Sequence, residues 1–233
     1  MYASFSVFCP TASFDSLRLL QDEDVLLDWT RPLCLNFTPE PILERLRDFY
    51  CPALGTMETV CGDVYIAEQE TEAAAAHIEA LPPLAPEVEL RQLRREHARA
   101  IHDLYPANDM EAIEAFEKCI EALPAYGIFV KSSPSALEIP EKIDDEVVDH
   151  IPAAWMVQSY YGAMFSMQTL PEFRRKGYGI LLASRLTAAV RQRGYIPFVV
   201  IRPENAASQS LYLKLGFKKH YSTIRAVLKP NKI

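Results

Sequence analysis

In "VELRQL" (residues 88–93) apolar and polar side chains alternate with the two-residue period of a half-buried strand. In "REHARAIHDLY" (95–105) and "MEAIEAFEKCIEAL" (110–123) the apolar positions instead recur every three or four residues, and each run stops before a proline, Pro106 or Pro124. The same two periods carry the rest of the C-terminal part. "YGIFVK" (126–131) is a strand, and "AAWMVQSYYGAMFSMQTL" (153–170) is two strands joined near Tyr161–Gly162, where glycine suits a positive φ. "GILLASRLTAAVRQRG" (179–194) is a helix closed by Gly194, and "YIPFVVIRP" (195–203) is a strand. "NAASQSLYLKLG" (205–216) is a helix started by Asn205 and stopped by Gly216, and "KKHYSTIRAVL" (218–228) is a last strand or two. The polar, acidic stretch at 132–150, with two prolines, predicts a long loop.

Upstream the pattern is thinner. "SFSVFC" (4–9) and "GDVYIAE" (62–68) predict strands, and "PEPILERLRDFYC" (39–51) predicts a helix. "EALPPLAPE" (79–87) places three prolines between two periodic stretches, which reads as a linker. The expected organisation is therefore an N-terminal domain over residues 1–85, of unassigned role, and a second domain over 86–233.

Composition narrows the class. With 233 residues, 49% of them hydrophobic, the chain can bury one large core or two small ones. No apolar run approaches the roughly 20 residues that span a bilayer, and no charged-then-apolar leader opens the chain, so the expectation is a cytoplasmic protein without membrane contact, mitochondria being the alternative. The five cysteines, Cys9, Cys34, Cys51, Cys61 and Cys119, form no C-x-x-C pair and have no His-rich partner, which argues against a disulfide framework and against a metal site. Charge is unevenly divided. From residue 171 onward thirteen Lys and Arg face two acids, a net of +11, whereas residues 1–170 carry eleven against twenty-nine, a net of −18. A cationic tail on an acidic body suits nucleic acid, an acidic surface or a phosphorylated ligand. Nucleic acid is disfavoured because the cations follow helix and strand positions without interleaved exposed aromatics.

The chemistry concentrates in "TLPEFRRKGYG" (169–179), where Arg174, Arg175 and Lys176 abut Gly177 and Gly179 between a predicted strand and a predicted helix. A glycine-bearing turn into a helix N-terminus binds phosphate, because the first amides of the helix lack intrahelical partners and the macrodipole adds partial positive charge. The glycines fit neither G-x-G-x-x-G nor a P-loop. Alone, R-x-x-G-x-G is a weak signal. A second cluster begins 26 residues beyond Gly179: Asn205, Ser208, Tyr212, Gly216 and Phe217, spaced N-x-x-S-x-x-x-Y-x-x-x-G-F.

Together the two clusters resemble the signature of the GNAT superfamily of acyl-CoA-dependent N-acyltransferases, over roughly residues 87–228. Residues 152–179 look most like its glycine N-acyltransferase-like branch. The resemblance implies an α/β (α+β) GNAT fold, a mixed central sheet flanked by helices, with a smaller N-terminal α/β domain. It implies transfer of an acetyl or other short acyl group from acyl-CoA to the amine of a small molecule or amino acid, through a tetrahedral intermediate and without a metal. By position, the backbone of Arg175, Lys176, Gly177, Tyr178, Gly179 and Ile180 would hold the pyrophosphate, with help from the Arg174, Arg175 and Lys176 side chains. Met167, Gln168 and Thr169 would meet the pantetheine and offer an N–H to the oxyanion, Asn205 and Ser208 would contact CoA, and Tyr212 would protonate the departing thiolate. The expected partners are acyl-CoA and a small amine, in a monomer or weak dimer. The chain departs from the branch at the general base: where the pattern has a glutamate stands Ala163, the neighbouring position is Phe165, and no carboxylate lies between Ala153 and Leu170. Tyr160, Tyr161, His150, His220 or a water chain would have to substitute. Two other readings use the same motifs, a protein N-terminal or lysine acetyltransferase and a CoA-binding module without turnover.

Overall fold

The computed structural model describes residues 3–68, 72–105, 108, 112–131 and 152–231. The loop expected at 132–150, with His150, lies outside the described residues. Two compact units interleave along the chain: Met1–Val64, Ile201–Asn205 and Lys219–Ile233 form one, Tyr65–Val200 and Ala206–Lys218 the other.

In the first unit, β1 (Ala3–Phe5) runs parallel to β2 (Leu33–Pro39) after a 3-10 segment, Thr11–Asp22. Helix α1 (Glu40–Ala53) and β3 (Gly55–Ile66) follow. The last strand of the chain, β9 (Lys218–Pro230), pairs antiparallel with β2. The periodicity of residues 39–51 has its expected consequence: Ile42, Leu43, Leu46 and Tyr50 form the buried stripe of α1, with Pro41 in its first turn. That stripe joins Leu33 and Leu35 of β2 and Ile224, Ala226 and Leu228 of β9 in one core. β2 was not expected from the sequence. Its seven residues, "LCLNFTP", end in proline and hold a positive φ at Phe37, so neither alternation nor turn chemistry marks them as a strand. Nearby, the buried carboxylate of Asp63 on β3 forms an ion pair with Lys219 Nζ and accepts a hydrogen bond from Ser222 Oγ of β9, each at 2.8 Å. A paired buried charge of this kind is tolerated where an unpaired one is not.

Gly55 sits where α1 gives way to β3. A Cβ there would overlap the Lys229 carbonyl oxygen and lie 2.8 Å from both Pro230 Cα and Tyr50 Oη. Two of those three obstacles are backbone and cannot swing aside. Gly55→Ala is therefore expected to lower the free energy of unfolding by about 2–3 kcal/mol, read as an earlier midpoint in urea.

The second unit is built on an antiparallel sheet of β4 (Val88–Gln92), β5 (Ala125–Val130), β6 (Ala154–Gln158) and β7 (Met164–Thr169), in that order. Helices α3 (Ala98–Asp103) and α4 (Ile113–Ala122) contribute Ala98, Ile101, Phe116, Cys119 and Ile120 to a core with Trp155 and Val157 of β6. Helix α5 (Tyr178–Gln192), with Leu182, Ala183, Leu186 and Val190 fully buried, also packs on β5, β6 and β7. Between these layers β6 is buried at all five positions, the pattern of a strand covered on both faces. The unit also contains α2 (Glu72–Glu79), β8 (Phe198–Val200 of its span Phe198–Ile201) and α6 (Ala206–Lys214). Arg191 Nη2 on α5 donates to the Ala67 carbonyl at 3.1 Å, and the Ala67 amide donates to the Pro197 carbonyl at 3.0 Å, which ties the stretch after β3 into this unit. Strand order in the other sheet is β1-β2-β9-β3-β8, so β7 and β8, neighbours in sequence, each end a different sheet. No helix among the described residues is long and apolar enough to cross a membrane.

Candidate functional site

The turn from β7 into α5 has the form expected of an anion-binding helix start. After a 3-10 turn at Pro171–Phe173 the chain passes through Arg175 at φ 66° and Gly177 at φ 81°, ψ 0°, both left-handed. Gly177 is the N-cap of α5, and no side chain caps the helix there. The amides of Tyr178, Gly179 and Ile180 are those that α-helix geometry leaves without intrahelical acceptors. The side chains of Tyr178 and Ile180 are buried, and burial, with the Glu87 charge, raises the Tyr178 pKa. At these two positions the backbone, not the side chain, is what a ligand would meet. Arg174, Arg175 and Lys176 are exposed. Arg174 Nε donates to the Thr169 carbonyl at 3.2 Å, and Lys176 Nζ lies 5.2 Å from the Phe173 ring centroid. Two of the three cations thus have contacts within their own turn.

On β7 the ladder with β6 slips: Trp155 faces Gln168, but Val157 faces Phe165, so three steps on β7 oppose two on β6. The extra residue makes a β-bulge. Within it Ser166 has φ 53° and is 6% exposed, and its Oγ has no hydrogen-bond partner among the described residues. Met167 follows, Gln168 Nε2 donates to the Leu104 carbonyl at 3.0 Å, and Thr169 offers its carbonyl to Arg174.

Helix α6 brings Tyr212 to the same place. Its hydroxyl is buried and donates to Met156 Sδ on β6 and Met167 Sδ on β7, both at 3.7 Å, while its ring meets Phe217 at 5.0 Å. Thioether sulfur is a weak acceptor, so the hydroxyl is oriented without being tied to a strong base. Burial pushes its pKa well above the ordinary phenol value, which keeps it protonated. A Cβ on Gly179 would stand 3.3 Å from Leu211 Cδ1 and 4.0 Å from Met167 Sδ, so the start of α5, the middle of α6 and the bulged strand converge on one point. Ser208, half-buried, lies on α6 in the same unit, and Asn205, exposed, belongs to the other unit.

At the position of the missing base, Ala163 is 2% exposed and Phe165 sits edge-on to Tyr105 and Phe116, with ring centroids 5.8 Å apart in each pair. Tyr161 reaches the Phe165 ring at 6.2 Å, Tyr160 is 59% exposed, and His220 is exposed. Among the described residues no group of three or more His, Cys, Asp or Glu side chains is placed to hold a metal ion. Sequence reasoning missed Ser166 and Met156. Neither has a local signal, since a bulge is defined by register and a sulfur acceptor by a neighbouring strand.

The FR47-like protein family model matches residues 150–226. Among solved structures, a Drosophila protein aligns with a TM-score of 0.77 at 20% identity, over 97% of this chain and 71% of its own. A GNAT-family protein from Novosphingobium aromaticivorans aligns at 0.57 and 17% identity, over 99% and 86%. A GCN5-related N-acetyltransferase from Kribbella flavida aligns at 0.50 and 16% identity, over 86% and 68%. No curated protein matches the sequence. The two sheets flanked by helices, the glycine-capped start of α5 and these likenesses together give the chain the fold of the GNAT acetyltransferases, with the FR47-like pattern in its C-terminal part.

Proposed function

We propose that the protein is an N-acyltransferase that moves an acetyl or other short acyl group from acyl-CoA to the amine of a small molecule or amino acid. The observation that carries this reading is the convergence of the uncapped α5 start, the β7 bulge and the protonated hydroxyl of Tyr212. Acyl-CoA supplies the activated thioester, and the protein supplies position and electrostatics. The amides of Tyr178, Gly179 and Ile180, behind Gly177, suit the pyrophosphate, and the Arg174, Arg175 and Lys176 side chains add positive potential around it. Met167, Gln168 and Thr169 line the pantetheine, and Ser208 adds a further CoA contact. The amine nitrogen attacks the carbonyl carbon, the tetrahedral intermediate collapses with cleavage of the C–S bond, the thiolate takes the Tyr212 proton, and the extra proton on the product nitrogen passes, directly or through water, to the tyrosinate and restores it. The domain over residues 86–233 is assigned to this chemistry as part of the proposal.

The general base sets a testable pH dependence. Ala163 and Phe165 cannot take the ammonium proton, and in this reading the acceptor enters as its free amine rather than through a substitute base. kcat/KM is expected to rise about tenfold per pH unit up to the acceptor's own pKa, without the plateau near pH 7 that a carboxylate or histidine base produces. This departure also favours an acceptor other than glycine within the glycine N-acyltransferase-like branch. The deciding experiment measures thiol release with a panel of small amines and several acyl-CoAs. Turnover with at least one amine is the expected result. Binding of CoA with no turnover on any amine, including peptide N-termini and lysines, identifies a binding module.

A further inference from the structure

We infer that Ser166 is a catalytic residue whose hydroxyl donates a hydrogen bond to the thioester carbonyl oxygen as it becomes the oxyanion. The inference rests on the acyltransferase reading above and extends it to a residue outside the GNAT-like motifs. Ser166 combines two unfavourable features at one place. Its backbone is left-handed, at φ 53°, a conformation that glycine or asparagine takes with less strain. Its hydroxyl is buried, at 6% exposure, with no partner among the described residues. Most buried hydroxyls are hydrogen-bonded, and strain of this kind persists where function requires it.

The location gives the pair of features a single explanation. Ser166 is the residue before Met167, whose sulfur lies 3.7 Å from the Tyr212 hydroxyl. In the proposed reaction that hydroxyl meets the departing sulfur, and the sulfur and the carbonyl oxygen are attached to the same carbon. A group that serves the oxygen must therefore stand close to the group that serves the sulfur, and the bulge puts an unengaged O–H on the residue next to Met167, the strand residue that touches the Tyr212 hydroxyl. When the amine attacks, the C=O π electrons move onto oxygen and the negative charge is met by the Ser166 O–H. When the C–S bond breaks, those electrons return and the hydroxyl keeps its proton. A donor held ready in a dry site needs no reorganisation at that moment.

The test compares Ser166→Gly and Ser166→Ala with the natural protein. Glycine removes both the strain and the orphaned hydroxyl, and alanine removes the hydroxyl alone. Ser166→Gly is expected to raise the melting temperature by about 2–4 °C. Both variants should bind acetyl-CoA within about twofold of the natural protein by calorimetry, and both should lose about tenfold in kcat with KM little changed. A residue kept for structure alone gives the opposite: glycine destabilises and turnover stays intact. Unchanged kcat in both variants, with the natural protein active, overturns the assignment of Ser166 by itself. A natural protein that releases thiol with no amine overturns the acyltransferase reading and this inference with it.

Discussion

Gly177→Val and Gly179→Leu are each expected to weaken acetyl-CoA binding at least a hundredfold, about 2.7 kcal/mol, in isothermal titration. They act by different routes. At Gly177 there is room, since a Cβ would find only Leu81 Cδ2, at 3.8 Å. The obstacle is the backbone, held at φ 81° where a β-branched residue is strongly strained, so the cap must rearrange and carry the three free amides away from their common target. Gly179 has no such conformational demand, and its difficulty is space: Leu211 Cδ1 and Met167 Sδ already stand at 3.3 and 4.0 Å from its Cβ position. Gly179→Ala is the control, with a small loss of affinity and near-normal stability, because the better helix propensity of alanine offsets the slight crowding. Lys176→Ala should cost less than about fivefold, and less still at high salt, since its ammonium is exposed and screened. Full affinity in both bulky variants removes the pyrophosphate site from this turn.

Tyr212→Phe is expected to lower kcat about a hundredfold or more while leaving the melting temperature nearly unchanged. Stability should be spared because the hydroxyl's acceptors are two thioethers, weak partners whose loss costs little, and phenylalanine keeps the contact with Phe217. A pH series separates the hydroxyl from general packing. The folded protein holds this phenol protonated above its ordinary pKa of about 10, whereas the unfolded chain releases the proton there. Above pH 10, up to the folded protein's raised pKa, the unfolded state binds fewer protons, so stability falls as pH rises. The natural protein should therefore lose about 1.4 kcal/mol per pH unit above pH 10 relative to Tyr212→Phe, and the two should track one another below it. Intact turnover in Tyr212→Phe across the whole pH range sinks the acid role.

Much of this molecule is written locally. The stop at Gly194, the turn at Gly162 and the break after Gly216 all occupy positive φ as their residue type predicts, and the helix at 39–51 buries the stripe its spacing marks. The glycine-bearing turn into α5 was legible for the same reason: glycine at a strand-to-helix junction and adjacent cations are properties of eleven consecutive residues. The spacing from Asn205 to Phe217 likewise placed Tyr212 on a helix, as observed.

What lay beyond the sequence was pairing. Residues 219–230 of β9 share a core with residues from the first fifty, an arrangement set by the summed burial of Ile224, Ala226 and Leu228 against Leu33, Leu35 and Leu43, which no stretch of either segment announces. The bulge at Ser166 depends on which β6 residue faces which β7 residue, and a period-two pattern reads the same on either side of an inserted position. The sulfur partners of Tyr212 come from two strands, 56 and 45 residues away in sequence. By itself the sequence determined most of the C-terminal elements, their order and the glycine-bearing turn into α5, because backbone dihedrals and amphipathic period are local. Only the tertiary structure decided the strand order, the strained serine and the dry surroundings of the Tyr212 hydroxyl, because each is the outcome of contacts between distant segments competing for the same buried space.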